Sequence, residues 1–168
     1  MVKKLSWLFL SMVLIFSTAN AQNKKAAKYN NAIIKLQHGV TPDVVEFFEA
    51  FEKGTTEDLK KQQVKLVKDF DAAIAKLNAM PDFEGDGALK KAALDWFKLY
   101  EGSFKNEYDH IITLVTNRDR SKEDHTKLDQ MTDELVTREE AVDAQFETAQ
   151  NAFSKKHHLE MIEHPLKR

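Results

Sequence analysis

The chain contains no cysteine, only five glycines and only three prolines among its 168 residues. Without cysteine there can be no disulfide bond, c-type haem attachment, iron–sulfur ligation or cysteine nucleophile. The lipid-modified cysteine that tethers many exported bacterial proteins is excluded as well. A folded domain of this chain must therefore be stabilised by packing alone.

Residues 1–21 have the three parts of a secretory signal peptide. Two lysines open the segment, an apolar run occupies positions 5–16, and Ala-Asn-Ala at 19–21 matches the small-x-small pattern that signal peptidase cuts. The apolar run is shorter than the roughly 20 residues needed to cross a bilayer. We expect cleavage before Gln22, which leaves residues 22–168 as one exported domain, in the periplasm or at the cell surface, with no transmembrane segment.

Acidic and basic residues nearly balance, 27 against 25, and both signs are mixed along most of the chain. Nucleic-acid binding requires a basic stripe, so this balance argues against it. Small basic patches remain near each end, at positions 24–28 and 155–168. A role of these basic residues in solubility is the simpler interpretation.

Helical periodicity accounts for the whole region after the signal segment. The first predicted helix covers about 25–53, with apolar residues spaced three and four apart from Tyr29 to Phe51. Gly39 and Pro42 lie inside it, but the apolar stripe crosses them without losing phase. A single helix that is kinked there is therefore favoured over two short ones.

Three further helices are predicted after short polar stretches. The second begins at Thr55 or Thr56 and ends before Pro81, the third covers about 86–114, and the fourth begins at Ser121 with a capping box. Every connection is short, and no strand-like alternation of useful length occurs. The sequence thus predicts an all-α, up-down-up-down four-helix bundle.

The C-terminal sequence HHLEMIEH is a candidate metal site. If the fourth helix continues through it, His157, Glu160 and His164 extend the apolar face of that helix with spacings of three and four. Two imidazoles and one carboxylate would suit zinc or copper. The alternative is a solvated helix end, where histidine and lysine favour the negative end of the helix dipole.

The loop sequence DFEGDG is a second candidate. Asp82, Glu84 and Asp86 precede a glycine and match the first half of a calcium-binding loop. The second half does not match, because Ala93 occupies the position of the bidentate acid. A loop that caps the third helix is the simpler interpretation. In the predicted topology this loop and His157 lie at the same end of the bundle.

A di-iron centre and an enzyme active site are disfavoured. Glu107 and His110 form one E-x-x-H motif, whereas di-iron bundles use two, and Glu139 is the one acid that interrupts the apolar stripe of the fourth helix. An ion pair of Glu139 with Arg138 or a neighbouring lysine explains this acid more simply. The chain also lacks a nucleophile elbow, a phosphate-binding glycine loop and an H-E-x-x-H motif, so no catalysis is expected.

Three stretches, YNNAII, LKKAALDWFKLYEGSFKNEYDHII and LVTREEAVDAQFETAQNAFSKKHHL, resemble the LIC-type family of small exported bacterial surface proteins. The function of that family is unassigned. The resemblance implies a helical chain behind a signal peptide, and it carries no catalytic or ligand-binding residues.

Together these patterns predict an exported, non-catalytic bundle of the cell envelope with a binding or structural role. One alternative is a periplasmic metal-binding bundle. Another is a chaperone-like binder of apolar segments, which would expose Phe47, Phe48, Trp96 and Tyr100 in a groove. Homodimerisation also stays open, because surplus apolar residues on any helix could serve it.

Overall fold

The structure, a computed structural model, describes residues 14–17, 21–53, 55–117 and 119–163. Most of the predicted signal segment, and His164, lie outside these ranges. The described chain is all-α, with helices packed side by side as the predicted four-helix bundle. Two four-residue strands, β1 (Leu14–Ser17) and β2 (Glu160–Glu163), pair antiparallel, and the sequence did not predict them.

The first helix, α1, runs from Ala21 to Lys53 and includes Pro42. Proline has no N–H to donate to the carbonyl one turn earlier, so it weakens the helix at this point. The Thr41 hydroxyl donates to the Gln37 carbonyl oxygen at 2.9 Å in the same turn. One helix therefore crosses Gly39 and Pro42, as the continuous apolar stripe predicts.

The second helix, α2, covers Thr56–Ala79 and begins with a complete capping box. Thr55 is the capping residue: its hydroxyl accepts from the Asp58 N–H, and the Asp58 carboxylate accepts from the Thr55 N–H. This reciprocal pair satisfies backbone donors that the first turn of a helix leaves free. Of the two threonines that the sequence offered, the structure selects Thr55.

The predicted third helix is interrupted at Asn106, which divides it into α3 (Ala88–Lys105) and α4 (Glu107–Thr116). The Asn106 side-chain amide donates to the Gly102 carbonyl oxygen at 2.9 Å, beside the backbone N–H of the same residue. Asparagine side chains compete in this way with the regular backbone ladder. The pattern of apolar residues contains no information about this side-chain hydrogen bond. The prediction of one uninterrupted third helix is therefore wrong at Asn106.

The last helix, α5, covers Lys122–Lys156 and also begins with a capping box, formed by Ser121 and Asp124. It ends earlier than predicted. His157 follows as the capping residue, and His158 has a positive φ of 51°, which turns the chain out of the helix. The N–H of Leu159 then donates to the Ser154 carbonyl oxygen at 3.0 Å.

Long-range contacts show that successive helices are antiparallel. The start of α1 lies against the end of α2, where the Tyr29 hydroxyl donates to the Pro81 carbonyl oxygen at 3.1 Å. The start of α2 lies against the end of α3, where the Gln63 amide donates to the Phe104 carbonyl oxygen at 2.7 Å. The end of α5 returns to the start of α3, where Lys156 pairs with Asp86. This is the up-down-up-down order.

Aromatic rings fill the centre of the bundle. Phe47 of α1 meets Phe104 and Tyr108 edge to face, with ring centroids 5.2 and 5.4 Å apart. Phe70 of α2 stacks on Tyr100, with centroids 6.2 Å apart. All five rings are almost completely buried. Edge-to-face and offset contacts are the favoured geometries of aromatic pairs, so these rings join α1, α2, α3 and α4 into one core.

Candidate functional site

His157 and Glu160 do not lie on one helical face. Because α5 ends at Lys156, His157 is at the helix end and Glu160 begins β2. The prediction that the helix continues through these positions is therefore wrong, and the spacing argument for a metal site does not hold for His157 and Glu160. The third proposed ligand, His164, lies outside the described residues.

His157 instead packs between aromatic rings. Its imidazole lies 5.0 Å from the Phe83 ring and 4.5 Å from the Phe153 ring, centroid to centroid. Its Nε2 atom is buried and has no hydrogen-bond partner among the described residues. The acidic loop and the end of α5 are thus neighbours, as the predicted topology required.

Two of the three acids of the DFEGDG loop pair with different lysines. Asp82 pairs with Lys90 at 2.7 Å, and Asp86 pairs with Lys156 at 2.6 Å. Asp86 also accepts from the Ala88 N–H at 3.0 Å, which makes it a capping side chain at the start of α3. The hydrogen bond from Lys156 is the main reason why the pKa of Asp86 is lowered, followed by the bond from Ala88. Within the described ranges, no three His, Asp or Glu side chains are grouped closely enough to hold a metal ion.

Glu84 occupies the turn of this loop in a backbone conformation that suits other residues better. Phe83 and Asp86 exchange two backbone hydrogen bonds, at 3.2 and 2.8 Å, around the central residues Glu84 and Gly85. Both central residues have positive φ, 50° and 83°. This is the pattern of a type I′ turn, for which Asn-Gly is the preferred pair.

We expect Glu84→Asn to raise the free energy of unfolding by about 0.5 to 1 kcal/mol, because asparagine tolerates a positive φ better than glutamate does. Urea denaturation followed by circular dichroism measures the difference. Glu84→Val is the matched control and should destabilise the protein, since a β-branched residue is strained there. Equal stability of the asparagine and valine variants would contradict the turn assignment.

The two residues of the E-x-x-H motif of α4 have different surroundings in this fold. Glu107 is partly buried and pairs with Arg138 of α5, whereas His110 is exposed. The suggested ion pair between Arg138 and Glu139 is corrected by this contact, because Arg138 reaches across to Glu107. Among the described ion pairs, none includes Glu139.

Glu139 is the centre of a buried polar cluster between α3, α4 and α5. Only 2% of its surface is exposed, and its Oε1 atom has no hydrogen-bond partner among the described residues. Asp143 lies one turn further along α5 and accepts from Trp96 Nε1 at 2.7 Å and from the Tyr100 hydroxyl at 3.3 Å. Trp96 and Tyr100, which are four residues apart on α3, thus face Glu139 and Asp143, which are four residues apart on α5.

Burial controls the ionisation of this cluster. Loss of hydration, and then the nearby negative charge of Asp143, raise the pKa of Glu139 to about 8. Glu139 is therefore mostly a neutral carboxylic acid at pH 7. Burial, assisted by the charge of Glu139, also raises the pKa of the Tyr100 and Tyr108 hydroxyls, which keeps both protonated.

The sequence pointed to Glu139 but missed Asp143. The sequence indicated Glu139 because this acid interrupts an apolar stripe. Asp143 follows Val142 at the border of the same stripe, where an acid is expected to be solvated. One feature of the sequence could have identified Asp143. Glu139 and Asp143 are four residues apart, as are Trp96 and Tyr100, and the two pairs lie on helices that were predicted to be antiparallel neighbours. Chemically, the cluster can hold a proton and hydrogen-bond two aromatic side chains.

The aromatic residues expected in an apolar groove are buried. Phe47 and Phe48 are 0% and 6% exposed, and Trp96 and Tyr100 are 3% and 1% exposed. They form the core described above, so this group does not line a surface groove. The chaperone-like alternative therefore loses the feature on which it depended.

Comparison with protein-family models, with curated proteins and with solved structures finds no match to the chain. Among the described residues, no helix combines the length and apolar character needed to cross a membrane. The fold and the geometry of its polar cluster are therefore the basis for any functional proposal.

Proposed function

We propose that this chain is an exported four-helix bundle of the bacterial cell envelope that acts by binding or as a structural component, without catalysis. The resemblance to small exported surface proteins belongs to the same proposal. The position of Glu139 supports this proposal. Glu139 is the acid whose pKa is raised most among the described residues, and it is enclosed in the bundle core among aromatic residues, remote from solvent.

One observation carries the export part of the proposal. The helical body begins at Ala21, next to the expected cleavage point before Gln22. The first buried side chains of α1 follow at Ala26 and Ala27. Cleavage there would remove β1 and would leave the described core of the bundle intact, since the core residues that the structure describes begin at Ala26.

The export proposal predicts processing to a shorter protein. We expect the full chain, expressed with a C-terminal epitope in a Gram-negative host, to yield a periplasmic form whose intact mass corresponds to a start at Gln22. Ala21→Arg should block processing, because signal peptidase requires a small residue at that position. Ala32→Arg, at an exposed position of α1, is the matched control and should be processed normally. An unprocessed wild-type chain in the cytosol would refute export.

The binding role is tested in the same cells by amine-reactive cross-linking before lysis. We expect the processed protein to appear in one or a few discrete adducts, because a specific surface yields defined products. A processed, folded protein that gives no adduct at any cross-linker length would contradict a binding role and would leave only a structural one.

A further inference from the structure

The charges of α1 are sorted along its length. Its first half exposes four lysines and contains no acid, whereas its second half presents three acids between 43 and 49 and no base in that interval. The lysines are Lys24, Lys25, Lys28 and Lys35, and the acids are Asp43, Glu46 and Glu49. The other long helices do not divide into a basic and an acidic half in this way.

This order is unfavourable for α1 itself. The N-terminal end of a helix carries partial positive charge and the C-terminal end partial negative charge, so acids are stabilising at the start and bases at the end. Both α2 and α5 follow this rule, with acids in the first turn and lysines in the last. The first turn of α1 has no acid, and its charges run in the opposite order. Stabilisation of α1 therefore does not explain the pattern.

Ion pairs with the other described residues compensate only one of these charges. Asp43 pairs with Lys65 of α2. Among the ion pairs of the described residues, none includes Lys28, Lys35, Glu46 or Glu49. The basic and acidic ends of this face are both left to solvent.

Four of the charged residues, Lys28, Lys35, Glu46 and Glu49, lie on one continuous exposed strip of the helix, here called the α1 seam. Its seven positions are spaced alternately four and three residues apart, which keeps them on one side of a helix, and each of them is exposed. Gly39 is the middle position, and a Cβ atom added there would meet nothing within 4 Å. The seam comprises Lys28, Ala32, Lys35, Gly39, Pro42, Glu46 and Glu49.

We propose that the α1 seam pairs with the α1 seam of a second copy of this chain in antiparallel orientation. Reading the seam in opposite directions places Lys28 of one copy opposite Glu49 of the other, and Ala32 opposite Glu46. The two copies of Gly39 meet at the two-fold axis, where the missing side chains permit close approach of the backbones. Each contact occurs twice, as an isologous interface requires.

A second copy fits this face better than an anionic surface does. A membrane or an acidic polymer would attract the lysines but would repel Glu46 and Glu49 on the same strip. An antiparallel α1 carries its charges in the reverse order, so Lys28 of each copy meets Glu49 of the other, while Lys35 lies opposite Pro42. Exposed ion pairs are individually weak, so the dimer should be salt-sensitive and in rapid exchange with monomer.

Charge reversal tests the pairing in solution. We expect Lys28→Glu and Glu49→Lys each to weaken the dimer at least tenfold in sedimentation equilibrium at about 50 mM salt, and the double variant to restore the wild-type association constant. Raising the salt to about 500 mM should weaken the wild-type dimer. A wild-type chain that stays monomeric, or a double variant weaker than both single variants, would overturn the proposal.

The lack of cysteine in the chain permits a geometric test as well. Gly39→Cys places one thiol at the proposed axis, and mild oxidation should give a disulfide-linked dimer in good yield, since a disulfide forms only when the two Cα atoms approach within about 7 Å. Ala144→Cys, at an exposed position of α5, is the control and should remain largely monomeric. Equal cross-linking of both variants, or binding of the chain to anionic lipid vesicles without dimer formation, would refute the antiparallel pairing.

Discussion

Replacing Trp96 by alanine should lower the free energy of unfolding by about 3 to 5 kcal/mol. Trp96 is 3% exposed, and its ring lies 4.9 Å from the Phe97 ring and 4.5 Å from the Tyr100 ring, centroid to centroid. Alanine would leave a large cavity between α3 and α5. It would also remove the Nε1–H that donates to the half-buried Asp143 carboxylate at 2.7 Å.

Urea denaturation followed by circular dichroism measures this loss as a shift of the midpoint. Trp96→Phe is the matched variant, because it keeps most of the ring packing and removes only the donor to Asp143. We expect it to cost about 1.5 to 3 kcal/mol, the range for one lost hydrogen bond to a charged group. If Trp96→Ala unfolds at the same urea concentration as the wild type, the packing between α3 and α5 described here is wrong.

Replacing Glu139 by glutamine should stabilise the protein at neutral pH. In the folded state burial raises the pKa of Glu139 to about 8 from an ordinary value of 4.5. Between these values the unfolded chain releases the proton while the folded chain retains it, so the wild type loses stability as the pH rises. Glutamine has nearly the same shape as the neutral acid and has no proton to release. We expect a gain of about 3 kcal/mol at pH 7.

The sign of this effect gives the experiment a distinctive pH profile. Below about pH 4.5 both chains carry a neutral side chain at position 139, so the difference between the variant and the wild type should vanish there. It should grow through pH 5 to 8 and level off above the folded-state pKa. Other groups near Glu139 are Asp143, Glu107, Arg138 and the hydroxyls of Tyr100 and Tyr108, and they are unchanged in the variant.

Glu140→Gln provides the matched control, because Glu140 is the next residue on α5 and is exposed. We expect its stability to follow the wild type within about 0.5 kcal/mol at every pH. A Glu139→Gln variant that is less stable than the wild type at pH 7, or a gain that does not change with pH, would show that Glu139 is ionised or solvated in the folded protein.

Local features of the sequence predicted much of the fold. The capping boxes at Thr55 and Ser121 mark the starts of α2 and α5, because each is made by residues three apart in the chain. The apolar stripe of α1 correctly crossed Pro42, since its phase depends only on spacing. The sequence did not predict features that depend on hydrogen bonds between side chains and the backbone. The Asn106 side chain bonds to the Gly102 carbonyl oxygen at the point where the third helix is interrupted, and the spacing of apolar residues does not reveal such a bond.

The candidate sites show the same division. The order of helices correctly brought the acidic loop and His157 to one end of the bundle, because short loops force antiparallel neighbours. The choice of partners was not predictable, since several lysines lay within reach of each acid. Only the packed structure pairs Asp86 with Lys156 and turns Arg138 toward Glu107 instead of Glu139.

By itself the sequence determined the all-α bundle, the limits of most helices and the absence of cysteine chemistry. Each of these follows from spacing and composition, which a chain carries before it folds. The tertiary structure alone decided that α5 ends at Lys156, that Trp96 and Tyr100 face Asp143, and that Glu139 is buried. Burial and charge pairing depend on groups distant in sequence, so the ionisation of Glu139 exists only once the helices have packed.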